Sequence, residues 1–135
     1  MPYSSRKQAG LILVILPTVV YGGVSILSLL INDPQYSQNE LRQDLWRAGH
    51  AHAGVLLILS LVVFLYLERA LLVDRMKRLA ASLITSSAIL LPVAYFFSVL
   101  SPDATEPNVL INLAYLGAAT LTAGLIIVGV GLLRK

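Results

Sequence analysis

The sequence predicts an all-α integral membrane protein, a single domain of four transmembrane helices over residues 1–135 with both termini cytoplasmic. Three observations carry this prediction. Hydrophobic residues make up 57% of the chain and charged residues 13%, with a mean hydropathy of +0.79, whereas charged residues are about 25% of a soluble domain. Apolar stretches occupy 10–31, 48–67, 79–100 and 109–133. At ~1.5 Å rise per residue each is long enough to cross a hydrocarbon layer ~30 Å thick. Eight of the ten basic residues lie on one side of these spans.

Span one follows Arg6 and Lys7. Its apolar run exceeds that of a signal peptide and has no clear small-residue cleavage site, so a retained helix is expected. Pro17 removes a backbone hydrogen bond there, and Gly22-Gly23 adds to the expected kink. Asp33-Pro34 opens a turn, and Ser37-Gln38-Asn39-Glu40 matches a capping box with Ser37 as N-cap. The helix expected from that point places Leu41 and Leu45 on one face and runs through Trp46 into span two. Trp46 stands where an interfacial aromatic anchor belongs. Span three repeats the Leu-Pro and tyrosine pattern of span one: Leu91-Pro92 with Tyr95 echoes Leu16-Pro17 with Tyr21. Pro102 and Pro107 mark a tight, non-helical loop before span four.

Charge sets the orientation. Arg6, Lys7, Arg69, Arg75, Lys77, Arg78, Arg134 and Lys135 share one side, while Arg42 and Arg47 share the other with five of the seven acids. The positive-inside rule then places the termini in the cytoplasm and the chain in the plasma (inner) membrane. These basic residues flank spans and form no stripe, so they indicate anionic lipid and exclude nucleic acid as the partner. A second copy of the chain or larger membrane subunits are the expected protein partners.

Helices in a bilayer associate through small residues and interhelical hydrogen bonds. The candidate seams are Gly117, Thr120, Gly124 and Gly131 in span four, and Gly49, Ala53 and Ser60 in span two. Span three offers Ser82, Thr85 and Ser86, and span one Thr18, Gly22 and Ser25.

Chemistry is concentrated in Arg47-Ala48-Gly49-His50-Ala51-His52-Ala53-Gly54, which holds both histidines of the chain. With no cysteine there is no thiolate site. No phosphate loop, zinc-helix motif or Ser/His/Asp order is visible, so a hydrolytic or transferase site is not expected. Ionisable groups at membrane depth are costly and call for a reason. Residues two apart on a helix point about 160° from one another, so His50 and His52 cannot chelate one ion. They are expected to flank the Gly49 seam, each toward a different helix. They lie about 6 and 9 Å below Trp46 along the axis, level with Tyr95 and Tyr115 and close beneath Ser98 and Asn112.

Three readings fit this polar layer. In the first, the histidines hydrogen-bond neighbours and lock the packing of an accessory or structural membrane subunit. In the second, His52 or His50 is an axial ligand to heme, with Arg47, Trp46 and Arg42 at the propionate rim. His52 is preferred because it lies deeper and shares its face with Ala48, which leaves space above it. In the third, the layer is part of a proton or solute pathway, though no intramembrane acid continues it.

His50-Ala51-His52 on a transmembrane helix resembles the His-x-His of the heme–copper oxidase large subunit. That resemblance covers three residues and the flanking helix. It implies two histidines on opposite faces of one helix, each a candidate ligand to a different heme. The chain departs from the family in having no further histidine to complete a copper site and no room for its larger set of helices. A bis-histidine heme would need a second copy of the chain or another subunit. A five-coordinate heme, or one with Tyr95 or Tyr115 opposite, would not. In general layout the chain also resembles small bacterial four-helix membrane proteins, which implies no mechanism.

Overall fold

The computed structural model describes residues 3–135. The helices are α1 (Arg6–Asn32), the single turn α2 (Pro34–Ser37), α3 (Glu40–Arg69), α4 (Asp74–Ser98) and α5 (Leu113–Leu133), with a 3-10 turn at Val109–Asn112 ahead of α5. No strand occurs among the described residues. Four helices are long and apolar enough to cross a membrane: α1, α3, α4, and α5 with its leading turn. Both internal prolines, Pro17 in α1 and Pro92 in α4, are carried within continuous helices.

The N-cap of α3 differs from the sequence expectation. Asn39, not Ser37, starts the helix, its side chain accepting from the Arg42 N–H at 3.1 Å. Ser37 is taken up by the preceding turn, whose own cap is Asp33, accepting from Gln35 N–H at 2.9 Å. Asn39 wins because its amide also reaches across the fold, donating to the carbonyls of Pro102 and Ala104 at 3.3 and 3.0 Å. An amide carries both donors and an acceptor, so one residue caps α3 and ties down the α4–α5 loop.

Hydrogen bonds at the helix ends establish the antiparallel order. Ser5 Oγ donates to Glu68 at 2.6 Å, and Leu71 N–H donates to the Gly131 carbonyl at 2.9 Å. The start of α1, the α3–α4 turn and the end of α5 therefore gather at one end, the end that holds the basic residues. Asn39, Arg42 and the α4–α5 loop gather at the other.

Packing is uneven. α4 lies between α3 and α5, while α1 rests on α3 and makes no backbone approach to α4. Apolar side chains of α3, α4 and α5 form the core: Val63, Phe64, Leu67, Ala80, Ala81, Ile84 and Val128, joined by Ile12 of α1. The glycine seam of span four is used as expected. A Cβ at Gly117 would stand 2.8 Å from Leu91 Cγ, and one at Gly124 2.5 Å from Ile84 Cγ1. Close backbone approach of this kind holds helices together where lipid offers no hydrophobic contrast.

The expected seam of span three is displaced. Ser82 is exposed and Thr85 and Ser86 are partly so; the buried α4 face runs instead through Ala80, Ala81, Ile84, Ser87, Ala88, Leu91 and Ala94. Hydroxyls on α4 are satisfied by their own turns, Thr85 by the Ala81 carbonyl at 2.8 Å and Ser87 by the Ile84 carbonyl at 2.6 Å. Such a hydroxyl has no need of a neighbouring helix, so alanine size decides which face packs.

Candidate functional site

The histidine segment sits on α3 at the end of the bundle remote from the termini. Gly49 sets its register. Its missing side chain admits α4, for a Cβ there would meet the Phe96 ring at 3.0 Å and Tyr95 Cβ at 3.2 Å. With Gly49 against α4, rotation of about 100° per residue sends His50 to one flank and His52 to the other.

His50 turns to α1. A Cβ on Gly23 would lie 3.0 Å from both Cε1 and Nε2 of the imidazole, and one on Gly22 would lie 3.8 Å from Nδ1. The Gly22-Gly23 pair is therefore a notch in α1 that receives this ring edge. Two glycines in the middle of a helix are costly as helix formers. Here they admit a side chain that alanines would crowd.

His52 turns to α4. Its ring centroid is 5.0 Å from that of Tyr95, inclined at 38°. Nδ1 is 2.7 Å from the Ala48 carbonyl oxygen. A carbonyl can only accept, so Nδ1 carries the proton and, in the neutral ring, Nε2 holds the lone pair. That face of the ring nitrogen makes no hydrogen bond with any described residue.

Above the histidines is a more heavily built polar cluster. Arg42 is 6% exposed; its Nε donates to the Val99 carbonyl at 3.1 Å. Its guanidinium carbon lies 4.7 Å from the Trp46 ring centroid and 5.7 Å from that of Tyr36. Trp46 in turn donates Nε1–H to the Phe96 carbonyl at 3.1 Å. A carbonyl and two aromatic faces replace the water that a buried guanidinium loses. Tyr36 is 1% exposed, and its hydroxyl is buried with no hydrogen-bond partner. Burial pushes the Tyr36 phenol above its ordinary pKa, while Arg47 and Arg42 pull it the other way.

The expected polar layer is only partly assembled. Tyr95 joins His52, and Ser98 is buried with its hydroxyl on the Tyr95 carbonyl at 3.3 Å. Tyr115 is 76% exposed on α5, Asn112 is exposed, and Tyr21 is 75% exposed on α1. Arg47 stands at the rim, ion-paired to Asp44 at 2.6 Å with both side chains largely exposed. Five residues from His52, it leaves the helix about 140° away from it. Arg42, expected at the rim, is buried instead, and Tyr36 is buried beside it. Arg42, Trp46 and Gly49 recur at steps of four and three, a helical stripe that marks Arg42 as inward-facing.

These positions discriminate between the histidines as heme ligands. His52 fits: its Nδ1–H is held by a backbone carbonyl, the arrangement that orients a ligating imidazole and leaves the lone pair on Nε2. His50 does not, because its Nε2 edge is closed by the backbone of α1. Among the described residues no group of three or more His, Asp or Glu side chains could hold a bare metal ion. No protein-family model, curated protein or solved structure matches the chain.

Proposed function

We propose that this is a small, non-enzymatic protein of the plasma (inner) membrane, its basic end cytoplasmic, that binds heme through His52. The observation that supports the reading is the Nδ1–H to Ala48 hydrogen bond, which leaves Nε2 as an oriented donor at membrane depth. Heme held there would supply one-electron chemistry. His52 would hold it through Nε2, Tyr95 would position the imidazole, and apolar helix surface around them would exclude water. His50 of the same chain faces α1 and would take no part in holding the group. Arg47, paired with Asp44 and turned away from His52, would stand outside that site.

A second reading rests on its own observation. His50 in the Gly22-Gly23 notch is a packing key between α1 and α3, the role expected of an accessory or structural membrane subunit. The two readings apply to different histidines and are separable. Protein purified in mild detergent from a heme-replete host is expected to show a Soret band. His52→Ala removes that band, and His50→Ala retains it while weakening the attachment of α1. A colourless, folded wild type, or a band that survives His52→Ala, overturns the heme assignment and leaves only the structural one.

A further inference from the structure

Because the backbone of α1 approaches α3 and not α4, a groove of about 440 Å³ runs between α1 and α4, floored by α3. Its walls include Gln8, Ile12 and Thr18 of α1, Ala53 of α3, and Thr85 and Ile89 of α4. The hydroxyls in it are already used, Thr18 on the Ile15 carbonyl at 2.7 Å and Thr85 on the Ala81 carbonyl at 2.8 Å. The walls therefore request nothing polar along their length. From Gln8 to the Thr18–Val19 level the groove follows α1 for about 16 Å at 1.5 Å per residue. That is close to one leaflet, half of a hydrocarbon layer ~30 Å thick.

The polar mouth is at the basic end. Arg6 and Lys7 are exposed in the same turn as Gln8, at the end carrying eight basic residues against two acids, Glu68 and Asp74. The remote end carries two basic residues against five acids. An apolar slot one leaflet deep, opening beneath exposed cations, has the chemistry of a phospholipid standing upright. We infer that the groove between α1 and α4 is a binding site for an anionic phospholipid, one acyl chain seated along Ile12, Ala53 and Ile89 and the phosphate at Lys7. The deep end of the groove reaches Ala53, the neighbour of His52, but His52 is not among its walls, and retained lipid is read separately from the Soret band.

The test uses full-length protein reconstituted in vesicles of equal phosphatidylglycerol and phosphatidylcholine. After mild detergent extraction, the retained lipid is counted by native mass spectrometry. Wild type is expected to keep phosphatidylglycerol in preference. Lys7→Gln lowers that preference about fivefold, the effect of one cation at an anionic surface. Thr85→Phe fills the groove and removes retained lipid of both kinds, and Ala53→Leu does the same from the α3 side. Unchanged retention in helical, folded fillers overturns the proposal, as does equal retention of the two lipids by wild type. A third contrary result is efficient oxidative cross-linking of Ile15→Cys between copies, which would put a second chain in the groove; the chain has no native cysteine to confuse it.

Discussion

Two seams meet on α3, and they are built differently. Around α4 the contact is dense: 44% of its apolar window is buried, and glycines let backbones approach it from both sides, Gly49 of α3 on one and Gly117 and Gly124 of α5 on the other. Against α1 it is sparse: only 6% of that helix's apolar window is buried, with Ile12 as its buried residue. What holds α1 is a set of discrete attachments, Ser5 on Glu68 at one end and the His50 ring in the Gly22-Gly23 notch near the other. A dense seam resists by excluded volume, whereas a pinned helix resists through a few polar contacts and can tilt between them. The two histidines, two residues apart, fall one on each seam.

The dense seam is expected to break most severely at Gly124. Gly124→Leu forces Ile84 and the Ala80 carbonyl aside and should cost roughly 3 kcal/mol, the upper part of the overpacking range. Unfolding in mixed detergent followed by circular dichroism measures it. A loss below a third of that value would mean that α5 is as loosely held as α1.

Arg42 tests the cap that spans both seams. Arg42→Leu removes its bond to the Val99 carbonyl and its contacts with Trp46 and Tyr36. The expected cost is about 2 kcal/mol, accompanied by a red shift of Trp46 emission as water enters. Stability equal to wild type would show that the guanidinium only fills space.

The sharpest contrast is a matched pair of glycines. Gly49→Ala meets the Phe96 ring and Tyr95 Cβ on the dense seam, and is expected to destabilise by about 1 kcal/mol. Gly23→Ala meets only the edge of the His50 imidazole, which can swing away. There the helix-propensity gain of alanine, roughly 0.5–1 kcal/mol, offsets the crowding and leaves stability near wild type. Equal losses at both positions would abolish the distinction between the seams.

The smallest effect is alkaline. Since burial raises the Tyr36 pKa, its neutral phenol is the form the fold favours. The stabilisation is complete below the ordinary tyrosine value of about 10 and is lost as pH rises through the higher folded value. Ultraviolet titration of wild type against Tyr36→Phe should reveal one tyrosine ionising late. Its ionisation at the ordinary value would place Tyr36 in water.

How much of this was legible depended on which physical rule governed each residue. The opposite headings of His50 and His52 follow from helical rotation alone, and the span-four seam followed from three glycines on one stripe. The cap of α3 was misplaced by two residues because Asn39 is selected by the carbonyls of Pro102 and Ala104, distant in sequence. The seam of α4 was misassigned because Ser82, Thr85 and Ser86 are chemically suited to an interface they do not occupy. Arg42 was underrated because a charge near a span end ordinarily snorkels outward. Its burial required two aromatic rings and a free carbonyl to converge.

By itself the sequence determined the class of solvent, the number of crossings, the end on which charge accumulates and the angular separation of its two imidazoles. Each depends only on local hydropathy, length or helical pitch. The tertiary structure alone decided which neighbour each imidazole meets, that α1 stands apart from α4, and that Tyr115 faces outward. Those outcomes depend on which helix faces meet at Gly49, Gly117 and Gly124, a choice made by the complementary shapes of several helices at once and written in no single stretch of chain.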